Sequence, residues 1–184
     1  MKIIVSKDTA RPALKQMLQD VRSRGFYAKL ALRLVVTLQS HFAEKESRPN
    51  KQGWPKGHFW SQIRSSTLTR EVTDSGATVA IADGRFNTHY YGATISPTKK
   101  QYLTIPLKPE AKGIYPGSGE IPGLFVLRAK SGTLLLAKKE GGQLGFFYLL
   151  KKHVVIPVDP TALPPDAKIE TALVNEAGKW LPKP

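Results

Sequence analysis

Apolar residues recur at helical spacing along the first quarter of this chain, and this periodicity constrains the fold more than any other feature. Five of them fall seven residues apart: Leu14, Val21, Ala28, Val35 and Phe42. Residues at this spacing share one face of a helix. Gly25 interrupts the series, and a glycine inside a helix costs about 1 kcal/mol relative to alanine. We therefore predict two helices, or one long kinked helix, from Ala10 to about Glu46, which either cover a sheet or pack against another subunit.

Most of the remaining chain has the residue pattern of short strands separated by glycine and proline turns. The predicted strands are Lys2 to Ser6, Leu68 to Thr73, Thr78 to Ile81, Tyr102 to Pro106, Leu124 to Ala129, Thr133 to Lys138 and Phe146 to Pro157. A short helix is predicted from His58 to Ser65 or Ser66, and a closing helix from Lys168 to Trp180 with Asp166 as its cap. Between them we expect a short helical or irregular piece from Phe86 to Tyr91 and the start of one helical turn at Pro109 to Lys112. The glycine-rich segment from Gly113 to Gly123 is expected to be an exposed, mobile loop.

This order of elements predicts an α+β fold in a single domain that spans residues 1–184. A long N-terminal helix or kinked helix pair is expected to pack on an antiparallel-dominated β-sheet. A short C-terminal helix is expected to complete the fold.

The charge balance is strongly positive. The chain carries 28 Lys and Arg against 14 Asp and Glu, a formal net charge of +14, which favours an anionic partner or the passage of an anionic polymer. The absence of cysteine excludes disulfides, thiol nucleophiles and cysteine-ligated metals. No apolar run approaches the ~20 residues that span a bilayer, and the apolar part of Met1 to Val5 is too short for a signal-peptide core. We therefore expect no membrane partner and a cytoplasmic location in the host cell.

Residues that carry chemistry are scattered along the sequence. The four histidines lack the spacing of a shared metal site, and no glycine-rich phosphate loop is present. Asp83, Glu110 and Lys112 supply, in order, the residue types of a magnesium-dependent nuclease. Pro109, directly before Glu110, favours a turn over the strand that such a site uses. We predict no catalytic residue, no metal and no cofactor, and keep a DNA-binding protein or metal-dependent nuclease as the alternative.

Three ordered segments carry motifs. The first is RPNKQGWPKGHFW from Arg48 to Trp60, the second is HYYGATISPTKKQYLTIPL from His89 to Leu107, and the third is FYLLKKHVVIP from Phe147 to Pro157. With the helices around them, these segments resemble the bacteriophage virion morphogenesis family, the head–tail joining and tail-completion proteins, from about Phe26 to Trp180. Ala93 stands where the family pattern has a second glycine.

The resemblance implies a structural virion protein without enzymatic activity, assembled in the host cytoplasm as a ring of identical subunits at the head–tail junction or tail top. Its role would be that of a connector, tail-completion or tail-terminator protein, with head, neck or tail proteins as neighbours. Candidate subunit contacts are the N-terminal helix, the loop from Gly113 to Gly123, Tyr115, Trp54 and Trp60. Candidates for facing packaged DNA or an acidic neighbour, or else solvated strand ends, are Lys99, Lys100, Lys138, Lys139, Lys151 and Lys152. A third hypothesis is a host-directed accessory protein that uses its basic surface.

Overall fold

The structure, a computed structural model, describes residues 10–48, 53–54 and 57–180. The predicted strand from Lys2 to Ser6 lies outside these residues. Within them, two compact units are distinguished: residues 10–48, 57–86 and 160–180 form the first, and residues 53–54 and 87–159 form the second. The single domain expected from the sequence stays a prediction. None of the described helices is both long enough and apolar enough to cross a bilayer.

The first unit combines helices with one β-hairpin. Its elements are α1 (Ala10–Val21), α2 (Arg24–Ser47), α3 (Phe59–Ser65), β1 (Thr67–Val72), β2 (Ala77–Ile81), the start of α4 (Arg85–Tyr90), and α5 (Asp166–Ala177) followed by a 3-10 turn at Gly178–Trp180. The hairpin is antiparallel, and its turn is closed by a hydrogen bond from the Thr73 amide to the Gly76 carbonyl at 2.8 Å. The predicted helix pair, hairpin and C-terminal helix are thus confirmed.

The break between the first two helices lies at Arg22 and Ser23 rather than at Gly25. Ser23 is the N-cap of α2, and its hydroxyl accepts a hydrogen bond from the Phe26 amide at 3.1 Å. A serine in this position satisfies one of the orphan amides of the new helix, which fixes its start. Gly25 then falls in the first turn of α2, so the prediction of a break at this residue was wrong.

The buried side chains of α1 and α2 do not follow the seven-residue series along its whole length. Val35 and Phe42 are buried, but Leu14 and Ala28 are exposed. Residues seven apart are displaced by about 20° around an α-helix, so a strict seven-residue series gradually leaves the core face. The break at Ser23 also gives α1 an axis of its own. The core side chains of this unit follow the helical period instead and are joined by residues from α3, α4 and the segment before α5: Leu38, Phe42, Ile63, Phe86 and Ala162.

The C-terminal helix begins one residue earlier than its predicted cap implies. Pro165 is the N-cap of α5, and Asp166 is the first helical residue. The predicted cap was therefore wrong by one position. A carboxylate in the first turn still opposes the positive end of the helix dipole, which is the physical reason for an acidic residue here.

The second unit is built from antiparallel strands. Its strands are β3 (Ala93–Ile95), β4 (Leu103–Pro106), β5 (Phe125–Arg128), β6 (Leu134–Glu140), β7 (Gln143–Lys151) and β8 (Val154–Ile156), with a 3-10 turn at Pro109–Ala111. Four strands form a sheet in the order β4-β7-β6-β5, and β3 pairs with β8. With the helices of the first unit, these antiparallel sheets confirm the α+β class.

The last predicted strand, Phe146 to Pro157, is in fact two. Lys152 and His153 separate β7 from β8, and on the facing side residues 96–102 separate β3 from β4. We call the four strands together the interrupted ribbon, because β3 and β4 face β8 and β7 across one discontinuous ladder. Pro97 lies in the facing segment and cannot donate to a ladder, which favours an interruption there. The sequence did not predict β3.

Candidate functional site

The second and third sequence motifs form one physical unit. His89 to Leu107 supplies β3 and β4, and Phe147 to Pro157 supplies most of β7 and all of β8, so each motif is hydrogen-bonded to the other along the interrupted ribbon. Leu103, for example, is paired with Lys151. In this chain the two motifs therefore form a register of paired strands.

Gly92 anchors one end of the ribbon. Its φ is +72°, a conformation that side chains with a Cβ rarely adopt. A Cβ on Gly92 would lie 3.1 Å from the Ile156 carbonyl oxygen and 3.2 Å from the Val158 amide nitrogen. Next to it, the Asp159 amide donates to the His89 carbonyl at 2.8 Å. The turn is held in place because only a glycine lets the two backbones approach this closely.

Replacing Gly92 with alanine is expected to destabilise the second unit by about 2–3 kcal/mol, because the left-handed backbone alone costs about 1–2 kcal/mol and the Cβ also presses on backbone atoms. Hydrogen exchange of the β3 and β8 amides measures the loss. Gly132→Ala is the matched control, since Gly132 has a φ of +82° but nothing within 4 Å of the added Cβ. Equal losses in the two variants would contradict a role for close backbone contact at Gly92.

Apolar side chains project into solvent from the β3–β8 end of the ribbon. Tyr91 is 71% exposed, Val155 65% and Val158 58%. Val155 is paired with Thr94, so both lie on the outward face of this ladder, while a Cβ added to Gly92 would lie 3.3 Å from Val158 Cγ2. We call Tyr91, Val155 and Val158 the apolar patch. These three side chains come from the two chain segments at this end of the ribbon, and grouped exposed apolar residues mark a contact surface more often than scattered ones do.

A basic groove lies where the ribbon is interrupted. It has a volume of about 520 Å³ and is lined by Tyr102, Arg128, Gly132, Thr133, Leu134, Leu149, Leu150, Lys151, Lys152 and His153. Lys151 is the last residue of β7, Lys152 follows it in the gap before β8, and Arg128 is the last residue of β5. None of these three cations forms an ion pair with a carboxylate in the described part of the chain. The groove therefore concentrates positive charge, with no acidic residue in its lining.

The other predicted lysines are divided between two places. Lys99 and Lys100 lie in the segment that leads into Tyr102, and the Lys100 ammonium is 6.0 Å from the ring centroid of Tyr115. Lys138 and Lys139 lie on β6 opposite Gly145 and Leu144, towards the β6–β7 turn and away from the groove. The structure thus associates Lys151 and Lys152 with one groove and leaves the pair on β6 apart from it.

A second groove, of about 550 Å³, contrasts with the basic one. Its lining includes Lys108, Glu140 and Phe146. The Lys108 ammonium is 3.0 Å from a Glu140 carboxylate oxygen and 3.6 Å from one of Glu110. The hydrogen bond to Glu140 and the charge of both carboxylates raise the pKa of Lys108. Here the cation is neutralised by the chain itself, which is not so in the basic groove.

The aromatic residues predicted to contact other subunits have different surroundings. Tyr115 is exposed in the loop after the 3-10 turn, and Trp54 is half-buried. Trp60 stacks on Phe42 in the core of the first unit, with ring centroids 5.8 Å apart, and the Lys45 ammonium lies 4.4 Å from its ring centroid. Subunit contact by Trp54, Trp60 and Tyr115 stays a prediction, as do the DNA-facing roles of the lysines.

The residues of the nuclease alternative are engaged in other interactions. Arg85 donates from its side chain and its backbone amide to the Asp83 carboxylate, and these hydrogen bonds hold the pKa of Asp83 below its usual range. Glu110 pairs with Lys108. Asp83 belongs to the first compact unit, whereas Glu110 and Lys112 belong to the second. Among the described residues, no three His, Asp or Glu side chains are grouped as ligands for a metal ion.

Comparison with protein-family models, with curated sequences and with solved structures finds no match to this chain. The function is therefore argued from the ribbon, the apolar patch and the basic groove.

Some residues of these surfaces were missed by sequence reasoning. Arg128 and His153 are single basic residues without the doublet that drew attention to the lysines, and only the pairing of β5, β6 and β7 brings Arg128 to the same end of the sheet as Lys151. Tyr91 did appear in a motif, but its exposure could not be inferred. Val155 lies within an unbroken apolar run, Val154 to Ile156, in which the sequence gives no sign of which residue faces solvent.

Proposed function

We propose that this protein is a structural component of a phage or prophage virion, acting at the head–tail junction or tail top and assembling as a ring of identical subunits. The observation that carries the proposal is that two of the three segments resembling the virion morphogenesis family pair with each other to build the interrupted ribbon. The resemblance thus rests on a scaffold of paired strands. A scaffold of this kind suits a protein that works by fitting against other proteins.

The apolar patch supplies the contact that such a ring requires. A ring closes when one surface of a subunit binds a different surface of the next. Burying a valine side chain fully contributes about 1.5–3 kcal/mol, so the patch offers a useful share of the energy of one interface. We assign Tyr91, Val155 and Val158 to the interface between neighbouring subunits.

Replacing Val155 with aspartate is expected to weaken each subunit interface by at least about tenfold, because it removes apolar contact and places a charge in a dry surface. Native mass spectrometry is expected to show a closed oligomer for the wild-type protein and smaller species for the variant. Val174→Asp is the matched control: Val174 is 61% exposed on α5, outside the patch, and its variant is expected to assemble normally.

The biological role has a test of its own. Deleting the gene from a phage or prophage that carries it is expected to leave unjoined heads and tails, visible by electron microscopy. Normal virions in the absence of the protein, together with a strictly monomeric purified chain that never enters particles, would overturn the proposal.

A further inference from the structure

The geometry points to the basic groove as a binding site for the phosphodiester backbone of a nucleic acid. The site consists of Arg128, Lys151 and Lys152, with the Tyr102 and Thr133 hydroxyl groups and His153 beside them. This goes beyond the proposed function, because a ring subunit needs no nucleic-acid contact of its own. Of the three lysine pairs singled out in the sequence, the proposal selects Lys151 and Lys152, and it adds Arg128 to them.

The groove differs from an ordinary basic surface in the state of its cations. In the other groove of this sheet the cation is neutralised, since Lys108 pairs with Glu140 and Glu110. In the basic groove, Arg128 of β5, Lys151 of β7 and the adjoining Lys152 line one open groove that has no acidic lining residue. Protein cations that are not neutralised internally can displace the counterions of a polyanion, which drives binding to nucleic acid.

Residue types in the groove favour a nucleic acid over an acidic protein. Protein–protein interfaces are depleted in lysine, whereas interfaces with DNA are more polar and far more positive. Lysine, arginine and hydroxyl side chains are the usual donors to phosphate oxygens. The groove also lies where the ladder is interrupted, so its lysines at the end of β7 adjoin the segment that carries Lys99 and Lys100.

The test compares two double substitutions in the full-length protein: Lys151→Gln with Lys152→Gln in the groove, and Lys138→Gln with Lys139→Gln on β6. Both remove the same charge from the same sheet. Binding to a short fluorescent DNA duplex is measured by anisotropy across a salt series. The groove variant is expected to bind about tenfold more weakly and to lower the salt slope by about 2, since it loses two phosphate contacts. The β6 variant is expected to bind like the wild type, and Arg128→Gln to weaken binding as well.

Several outcomes would overturn this assignment: no duplex binding by the wild-type protein, equal losses in the two double variants, or equally tight binding of polyglutamate. Circular dichroism and native mass spectrometry confirm that each variant is folded and assembled. A groove variant that forms normal rings but fails to bind DNA supports the site. If the Val155 variant no longer forms rings but still binds DNA, ring formation and DNA binding depend on different surfaces, and each proposal is tested separately.

Discussion

Phe42→Ala is expected to destabilise the first compact unit by about 3–5 kcal/mol. Phe42 has no solvent exposure and packs between two aromatic rings, stacking on Trp60 and meeting Phe86 edge-on at 5.9 Å. Truncation removes both contacts and leaves a cavity that the neighbouring α3 and β2 residues cannot fill without moving. Because a typical domain is stable by only about 5–15 kcal/mol, this change removes a large part of its stability.

The measurement is native-state hydrogen exchange, which reports the free energy of opening for α2 and α3 amides. Leu32→Ala provides the control, since Leu32 lies on the same helix but is 55% exposed, and its loss is expected to stay within about 0.5 kcal/mol. A similar loss in both variants would show that α2 does not bury the face described here. Phe42→Leu keeps most of the volume, so its loss is expected to be smaller.

Tyr148→Ala is expected to cost the second unit a similar amount, about 3–5 kcal/mol. Tyr148 is 1% exposed, lies opposite Leu136 and Pro106 in the centre of the four-stranded sheet, and donates its hydroxyl to the Ile114 carbonyl at 2.9 Å. The ring therefore fills the core while the hydroxyl secures the loop that follows the 3-10 turn. Hydrogen exchange of β6 and β7 amides measures the loss.

Tyr148→Phe separates these two contributions. It keeps the ring and leaves the Ile114 carbonyl without its donor, so the expected loss is about 1 kcal/mol. Burial raises the pKa of Tyr148, so its contribution to stability is present below the ordinary tyrosine pKa and is lost as the pH rises through the folded-state value. Stability of the wild-type protein should therefore fall more steeply in alkali than that of the phenylalanine variant. Parallel pH profiles would contradict a buried, hydrogen-bonded phenol.

Local sequence patterns were sufficient to predict those helices and strands whose ends are marked by turn-forming or capping residues. The β1–β2 hairpin is an example, because Asp74, Ser75 and Gly76 form a turn between two short antiparallel strands. The break before α2 was misplaced since a glycine and a capping serine, two residues apart, both offer a helix boundary, and the side-chain hydrogen bond of Ser23 decided it. The split of Phe146 to Pro157 depended on the opposing strand, which local patterns do not reveal.

The candidate site was predictable only in part for the same reason. Lys151 and Lys152 attract notice as a charged doublet at the end of an apolar run. Their association with Arg128 and Tyr102 depends on the register of four antiparallel strands: β5, β6 and β7, which follow one another, and β4, which lies further away in the sequence. A single arginine at a strand end has no local signal that separates it from a solvated charge. Long-range pairing, rather than composition, turns dispersed cations into a groove.

The interruption of the ribbon has a practical consequence for those who wish to label this protein. Register on each side of the gap is set by separate ladders, Ala93 to Ile95 with β8 and Leu103 to Pro106 with β7. Residues 96–98 can therefore change in number without forcing either ladder to slip, since loop closure costs grow only slowly with length. A short epitope or a spectroscopic probe inserted there would report on assembly while leaving both halves of the scaffold paired.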